Sequence, residues 1–510
     1  MIGKIYTCAV IGINGIIIEV EIDISNGLPG FTIVGLPDAA IRESKERVRT
    51  SIKNSGYEYP LKRVTVNLAP ADIKKEGPCY DLPIAIGLLY ASGQIDCIEI
   101  DEYLFLGELS LDGKVKPVNG VLCMVSDAAK KGFKKAIVPF KNATEAAIIR
   151  DIEIYPVSTL KETVEMLEGI SSVEPYSISE DRIMRLSGSC EDFCDIKGQE
   201  SAKRALEIAA AGGHNVLMIG PPGSGKTMLA RRLPGILPDM TFDEAVEVTK
   251  IYSITGDLGS GSGLISSRPF RSPHHTISAI SLVGGGRVPR PGEISLAHYG
   301  VLFLDELPEF QRDALEVLRQ PMEDGRVSIS RVSAALTFPS VFMLIASMNP
   351  CPCGFFNDPV KECTCTPTAI KKYLSKISGP LLDRIDIHIE VSPVKYSELE
   401  ADDSGEGSST IKGRVNRARG MQLERYKNED IFCNAQLKAS MIKKYCKVGN
   451  DGKRILRKAF ESLGLSARAY NKVLKIARTI ADLEGRDEIS RDDIGEAVQY
   501  RSMDRKYWER

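Results

Sequence analysis

The sequence has no apolar run long enough to cross a bilayer. The longest, around Leu82–Ala91 and Val341–Met348, stop well short of the roughly 18 residues that a spanning helix needs, so no membrane partner is expected. Net charge is almost absent too: 66 Lys and Arg against 68 Asp and Glu leave −2. Contact with nucleic acid would therefore need a local basic surface rather than the field of the whole molecule. The stretch Met1 to Val20 lacks a basic start, a clean apolar segment and a small-residue cleavage site, and it runs into Glu21 and Asp23. It reads as a strand, not an export signal. Repeats at solenoid periods are also missing. Twelve cysteines without an export signal point to a reducing compartment, by default the cytoplasm, where clustered cysteines serve more often as metal ligands or reactive groups than as disulfides.

What is present is a chain of ordinary globular composition. Its 510 residues, 43% hydrophobic and 26% charged, suffice for about three domains at roughly 150 residues each. Residues 1–167 alternate strand-like runs (Gly15–Asp23, Val64–Ala69, Ala136–Val138) with helical patterns (Asp38–Ser55, Asp81–Ser92), which predicts a mixed α/β domain. Residues 168–190, rich in Ser and Glu, read as a linker. In 191–397, short apolar strands (Asn215–Ile219, Val301–Leu304, Val341–Ala346) alternate with helices, the pattern of a parallel sheet with crossovers. A second polar linker, 398–412, precedes an almost wholly helical segment, 413–510. Residues 411–510 carry 24 Lys and Arg against 14 Asp and Glu, an excess that a solvated helical surface explains as well as a nucleic-acid site does.

The strongest motif is Gly220-Pro221-Pro222-Gly223-Ser224-Gly225-Lys226-Thr227, which follows a strand and opens a helix. Its glycines let backbone N–H groups wrap phosphates at a helix N-terminus, Lys226 supplies a cation to the β/γ oxygens, and Thr227 offers a hydroxyl to Mg²⁺. The pattern calls for ATP. Farther along, the apolar run Val301–Leu304 ends in Asp305-Glu306, placing two carboxylates at the C-terminal edge of a buried strand. Asp305 would hold Mg²⁺ and Glu306 would act as general base on water, the alternative for Glu306 being one half of a helix N-cap pair. A third strand ends at Asn349, whose amide can orient the same water or merely serve a turn.

These three strand-terminal motifs, followed by a helical lid, resemble the AAA+ ATPases over about residues 196–510. Two further stretches, Arg268-Pro269-Phe270-Arg271-Ser272-Pro273-His274-His275-Thr276 and Pro291-Gly292-Glu293-Ile294-Ser295-Leu296-Ala297-His298, are similar to segments of magnesium-chelatase-type members. That resemblance implies an arginine finger at Arg384, within Gly379–Asp386, and a lid sensor arginine at Arg468, both neutralising γ-phosphate charge. An ion pair of Arg384 with Asp383 or Asp386, and simple exposure of Arg468, are the competing readings. A finger acting in trans implies a ring, by family habit a homo-hexamer.

Directly after Asn349 stand Cys351-Pro352-Cys353 and then Cys363-Thr364-Cys365. Four thiolates could close a tetrahedral structural Zn²⁺ site, and such a metal would stiffen the loop carrying Asn349; a redox pair or disulfide and unligated thiols are the alternatives. Residues 60–140 resemble the proteolytic domain of Lon, which implies its α/β fold (ribosomal S5 domain 2-like) at the N-terminus. Cys79, in Glu76-Gly77-Pro78-Cys79, occupies the nucleophile position and Leu122 roughly that of the base, so no catalytic dyad is expected. This combination resembles the ComM (YifB) family across the whole chain. The resemblance implies a DNA helicase driving branch migration in recombination and natural transformation. A hairpin-like segment around Val327–Phe338 would present Arg331 to a pore, with Arg271, His274, His275, Arg287 and Arg290 offering further cations to single-stranded or branched DNA without reading sequence; for each, a solvated or packed side chain is the plain alternative. A chelatase motor subunit or a protein remodeller would use the same core.

Overall fold

The computed structural model describes residues 2–178, 191–258, 263–286, 289–331, 334–358, 361–394, 405–463, 466–501, 503 and 507–508. The chain forms two units: residues 1–187 with 242–266, and residues 188–241 with 267–510.

In the first unit, alternation of apolar and polar residues produces β1 (Ile2–Ile11) and β2 (Asn14–Ser25), an antiparallel hairpin turned at Gly12 with φ +63°. Ile18, Val20 and Ile22 of β2 point to one face and are fully buried. With β3 (Gly30–Val34), β4 (Arg63–Ala69), β5 (Tyr103–Phe105), β6 (Lys135–Pro139) and β7 (Glu153–Val157), they form a mixed sheet in the order β3-β4-β2-β1-β5-β6-β7. Helix α1 (Ala39–Asn54) starts where Asp38 accepts from the N–H of Ile41 at 2.9 Å. The apolar run at Leu82 becomes α2 (Asp81–Ala91), buried on all but one residue, so it is a core helix.

The second unit is built on a parallel sheet. Among the described residues its order is β9 (Phe270–Arg271), β10 (Val301–Leu304), β13 (Met343–Met348), β8 (Val216–Ile219) and β14 (Ile387–Glu390). β8, β10 and β13 are buried at every residue, as expected of strands covered on both faces. Alanine-rich α5 (Glu200–Gly212), which follows α3 (Val121–Lys130) and α4 (Leu160–Leu167) in the chain, packs beside this sheet, and α6 (Lys226–Arg232) follows β8. An antiparallel hairpin, β11 (Arg326–Arg331) with β12 (Ala334–Pro339), precedes β13 and matches the hairpin expected there.

This division departs from the sequence-based one in two places. Residues 242–266, read as part of the 191–397 core, pack in the first unit through α7 (Phe242–Thr255). Its buried stripe, Ala245, Val248, Thr249 and Ile251, turns toward α3. Gly120 N–H donates to the Ser253 carbonyl at 3.0 Å, Cys123 donates to the Lys250 carbonyl at 3.6 Å, and the Ser253 hydroxyl donates to Glu145. The helical C-terminal segment, read as its own domain, shares one apolar cluster with the sheet: Val473, Ile476 and Ala477 join Val216 and Ile345. Here α8 (Pro367–Leu374), α9 (Ser408–Tyr426), α10 (Asn450–Leu463), α11 (Ala467–Leu483) and α12 (Arg491–Gln499) follow in order. Asp482, fully buried, ties α9 to α11: it accepts from Arg425 at 2.5 and 2.9 Å, Arg478 at 3.0 Å and Asn434 at 2.8 Å. Parts of both expected linkers, 179–190 and 398–404, fall outside the described residues, as do 395–397.

Candidate nucleotide site

The phosphate loop leaves β8 at Gly220, where backbone crowding admits no side chain: an added Cβ would collide with the Val391 carbonyl. Gly223 and Gly225 turn the loop with φ of +77° and +88°, a region that costs glycine little. Lys226 then opens α6, and its side chain is only 8% exposed. The amine donates to the carbonyls of Gly220 at 2.7 Å and Pro221 at 2.9 Å, to Ser224 Oγ at 3.5 Å and to Asn349 Oδ1 at 3.3 Å. Burial pushes it down to about 8, with the charges of Asp305 and Glu306 acting the other way.

Asp305 sits just beyond β10, beside β13, and its two oxygens are both engaged. Thr227 Oγ1 donates to Oδ2 at 2.8 Å, while the Ser347 hydroxyl and the Glu306 N–H, the latter at 3.1 Å, donate to Oδ1. Glu306 takes a left-handed backbone, φ +55°, unusual for a residue with a side chain. Its carboxylate is 57% exposed and lies 3.8 Å from His275 Nδ1. Adjacency of β8, β13 and β10 thus brings together two bonded pairs, Lys226 with Asn349 and Thr227 with Asp305, joined through the 226–227 backbone, with Glu306 next to Asp305. β13 runs two residues beyond its expected end, so Asn349 follows it directly.

Two residues of this site escaped the sequence reading. Ser347 orients Asp305 from the neighbouring strand, and Gln199, with φ +62°, donates its amide to the carbonyls of Ser224, at 3.1 Å, and Ser392. Ser347 follows from strand adjacency, which sequence does not show. For Gln199 the Gly198-Gln199-Glu200 turn before a helix was the available signal.

The two arginines stand apart from this group. Arg384 pairs with Glu323 and donates to the Pro380 carbonyl at 2.6 Å, so the competing reading, an ion pair with Asp383 or Asp386, is not what forms. Asp386 is instead buried against Lys472 at 3.2 Å and His214 at 3.5 Å; burial pushes its carboxyl up, but the Lys472 charge and the hydrogen bond from His214 outweigh it and hold the carboxyl well below the usual range. Arg468 is 70% exposed and lies 3.6 Å from Asp383.

Among the expected DNA contacts, Arg271 is committed to Glu293 by bonds of 2.6 and 2.7 Å. His274 packs on His275 with ring centroids 4.1 Å apart and planes tilted by 35°, and Arg290 is exposed. Arg287 and the Arg331 side chain fall outside the described residues. In the first unit Cys79 is buried, and burial pushes its thiol up to about 12, a poor setting for a nucleophile. Leu122 is fully buried.

The four clustered cysteines converge. Sγ atoms of Cys351, Cys353, Cys363 and Cys365 all lie within 4.8 Å of one another. The 351–353 pair is at 3.3 Å, and the 351–363 and 353–363 pairs are at 3.6 Å. The disulfide expected as an alternative is not formed, since a bond needs about 2.05 Å.

Comparison with known proteins accords with this geometry. A family model described as magnesium chelatase, subunit ChlI, matches residues 192–399; one for subunit ChlI of Mg-chelatase matches 20–142, and one for the ChlI C-terminal part matches 405–501. The chain is 45% identical to YifB of Salmonella typhimurium and 44% identical to the competence protein ComM of Haemophilus influenzae, each over 98% of this chain and 97% of the relative. It is 23% identical to chloroplastic magnesium-chelatase subunit ChlI-2 of Arabidopsis thaliana, over 59% of this chain and 72% of that one. The chain belongs to the ComM/YifB family of magnesium-chelatase-type AAA+ proteins.

Proposed function

We propose that this protein hydrolyses ATP to drive movement along DNA, as a helicase promoting branch migration in recombination and natural transformation. The bonded pairs Lys226–Asn349 and Thr227–Asp305 at the ends of three adjacent strands carry the ATPase reading. Lys226 exchanges its loop carbonyls for β/γ-phosphate oxygens. Thr227 and Asp305 are the residues that would hold Mg²⁺, which neutralises phosphate charge when bound. Asp305 fits that role because its oxygens are already aimed by Thr227, Ser347 and the Glu306 N–H. Glu306, raised on its left-handed turn, takes the proton of the attacking water, and Asn349 orients that water while holding Lys226. Arg384 completes a neighbour's site in a homo-hexameric ring, and Arg468 closes the lid on the γ-phosphate. The four cysteines hold a structural Zn²⁺. Residues 1–167 are a Lon-protease-like domain without the catalytic dyad, Cys79 and Leu122 standing at the positions of its nucleophile and base.

What supports DNA as the track is similarity over nearly the whole chain to a protein named for competence, together with the basic excess of residues 411–510 and the β11–β12 hairpin. The family models favour one second reading, a magnesium-chelatase motor subunit. ATPase rates of the purified protein alone and with single-stranded, duplex and four-way-junction DNA separate them. Stimulation that is greatest with the junction and weakens with salt is expected. Basal turnover indifferent to every DNA would overturn the DNA reading in favour of the chelatase or a protein remodeller.

A further inference from the structure

Immediately past Asn349 the chain folds back against the phosphate loop. Gly354 lies so near Pro222 that a Cβ there would stand 2.5 Å from its Cδ and 2.8 Å from its Cγ. Its φ of +86° is one that side chains resist. Pro222 is the third residue of the loop that wraps the phosphates, and Asn349, five residues before Gly354, accepts from Lys226 at 3.3 Å. Both ends of the segment 349–354 therefore touch the nucleotide-binding machinery, one through an amide and one through a packed backbone.

Short turns as well as sulfur hold this segment: the Gly354 N–H donates to the Cys351 carbonyl at 3.0 Å, the Asp358 N–H to the Phe355 carbonyl at 3.1 Å and the Lys361 N–H to Asp358 at 2.9 Å. Among its described residues, 351–358 and 361–365 contain neither helix nor strand. Cys351 and Cys353 begin the loop, and Cys363 and Cys365 end it just before α8, which Thr366 caps by accepting from the Ala369 N–H at 3.2 Å. The three separations among Cys351, Cys353 and Cys363, 3.3 to 3.6 Å, are close to the edges, about 3.8 Å, of a tetrahedron with Zn–S near 2.3 Å, and the Cys365 sulfur lies within 4.8 Å of all three. Four thiolates and no carboxylate make a donor set suited to a borderline-soft ion and leave no coordination position open.

The geometry points to zinc linkage of the nucleotide site: Zn²⁺ on Cys351, Cys353, Cys363 and Cys365 clamps the loop so that Gly354 buttresses Pro222 and Asn349 holds Lys226. ATP affinity then depends on zinc occupancy. This rests on the readings of Lys226 as an ATP ligand and of the four cysteines as a zinc site. Ordering a loop without helix or strand costs conformational entropy, which the metal offsets by joining its two ends, so without the metal Pro222 and Asn349 lose a fixed neighbour. Linkage is reciprocal, and ATP must tighten zinc by the same factor by which zinc tightens ATP.

The experiment uses the full chain. Zinc content is measured by elemental analysis. The metal is stripped with a chelator that is then removed, Mg²⁺ is restored, and binding of a fluorescent ATP analogue is titrated before and after adding back Zn²⁺ alone. The expected result is one zinc per chain, a loss of ATP affinity of roughly tenfold or more on stripping, recovery with Zn²⁺, and slower release of zinc to a colorimetric chelator when ATP is present. Gly354→Ala keeps all four ligands and should retain zinc while weakening ATP; circular dichroism confirms that it folds. Equal ATP affinity with and without zinc would overturn the linkage while leaving the ATP reading intact, as would a chain that takes up no zinc yet binds ATP. Zinc-loaded protein that binds no ATP would instead sink the reading of the phosphate loop.

Discussion

ATP binding should weaken about tenfold between pH 7 and pH 9 through Lys226 alone. The amine is enclosed by the carbonyls of Gly220 and Pro221 and by Asn349, and burial brings its pKa down to about 8. With that value, about nine-tenths of the molecules carry the ammonium at pH 7 and about one-tenth at pH 9. Phosphate oxygens select the charged form, so affinity is full below the free-protein pKa and is lost as pH rises through it, until the higher pKa of the complex is reached. The shift from 10.5 to about 8 corresponds to roughly 3 kcal/mol held against the charged amine before phosphate binds. The assay is a titration with a fluorescent ATP analogue from pH 6.5 to 9.5 at constant ionic strength and saturating Mg²⁺. Lys226→Arg, whose guanidinium keeps its proton, should give a flat profile even if its affinity is poorer. A wild-type Kd unchanged to pH 9.5 would refute the reasoning, because it would mean that the enclosed amine keeps an ordinary pKa.

Glu306→Gln should still bind ATP and lose turnover by about 10²–10⁴-fold in single-turnover hydrolysis; a parental rate would place the base elsewhere. Ser347→Ala removes a hydroxyl donor from Asp305 and should raise the Mg²⁺ concentration needed for half-maximal ATPase activity by roughly tenfold, whereas an unchanged requirement would show that Asp305 needs no such orientation. Asp482→Ala leaves Arg478, almost fully buried, and Arg425 without their carboxylate and should cost about 3–5 kcal/mol in urea unfolding. A loss under about 1 kcal/mol would mean that those guanidinium groups reach water.

How much of the site could be read from sequence follows from how local each requirement is. A phosphate loop needs a strand end, glycines at left-handed positions, a lysine and a hydroxyl in consecutive residues, and Gly223, Gly225, Lys226 and Thr227 sit in that arrangement. Asp305 was legible because four apolar residues before it announce a buried strand whose end must carry the carboxylate outward. Spacing alone flagged the cysteines, and the structure brings their sulfurs together. Ser347 was invisible because its hydroxyl matters only once β13 lies beside β10. The same holds for Arg384: its partner Glu323 lies 61 residues away, while Asp383 and Asp386, nearer in sequence, turned to Arg468 and to Lys472 with His214.

The sequence by itself determined the parallel-sheet core, the helical C-terminal region, the order of the motifs along the chain and the family, since each depends on periodicity or on side chains within a few residues of one another. Tertiary structure alone decided which unit the 242–266 segment joins. The apolar stripe of α7 is satisfied by any complementary surface, and only the folded chain shows that α3 supplies it while Glu145 accepts from the Ser253 hydroxyl. It also decided the lowered pKa of Lys226, the packing of Gly354 on Pro222 and the merging of the C-terminal helices with the core of the sheet. Desolvation, close approach and shared burial are properties of what surrounds a residue in space, and for these residues the surroundings come from distant parts of the chain.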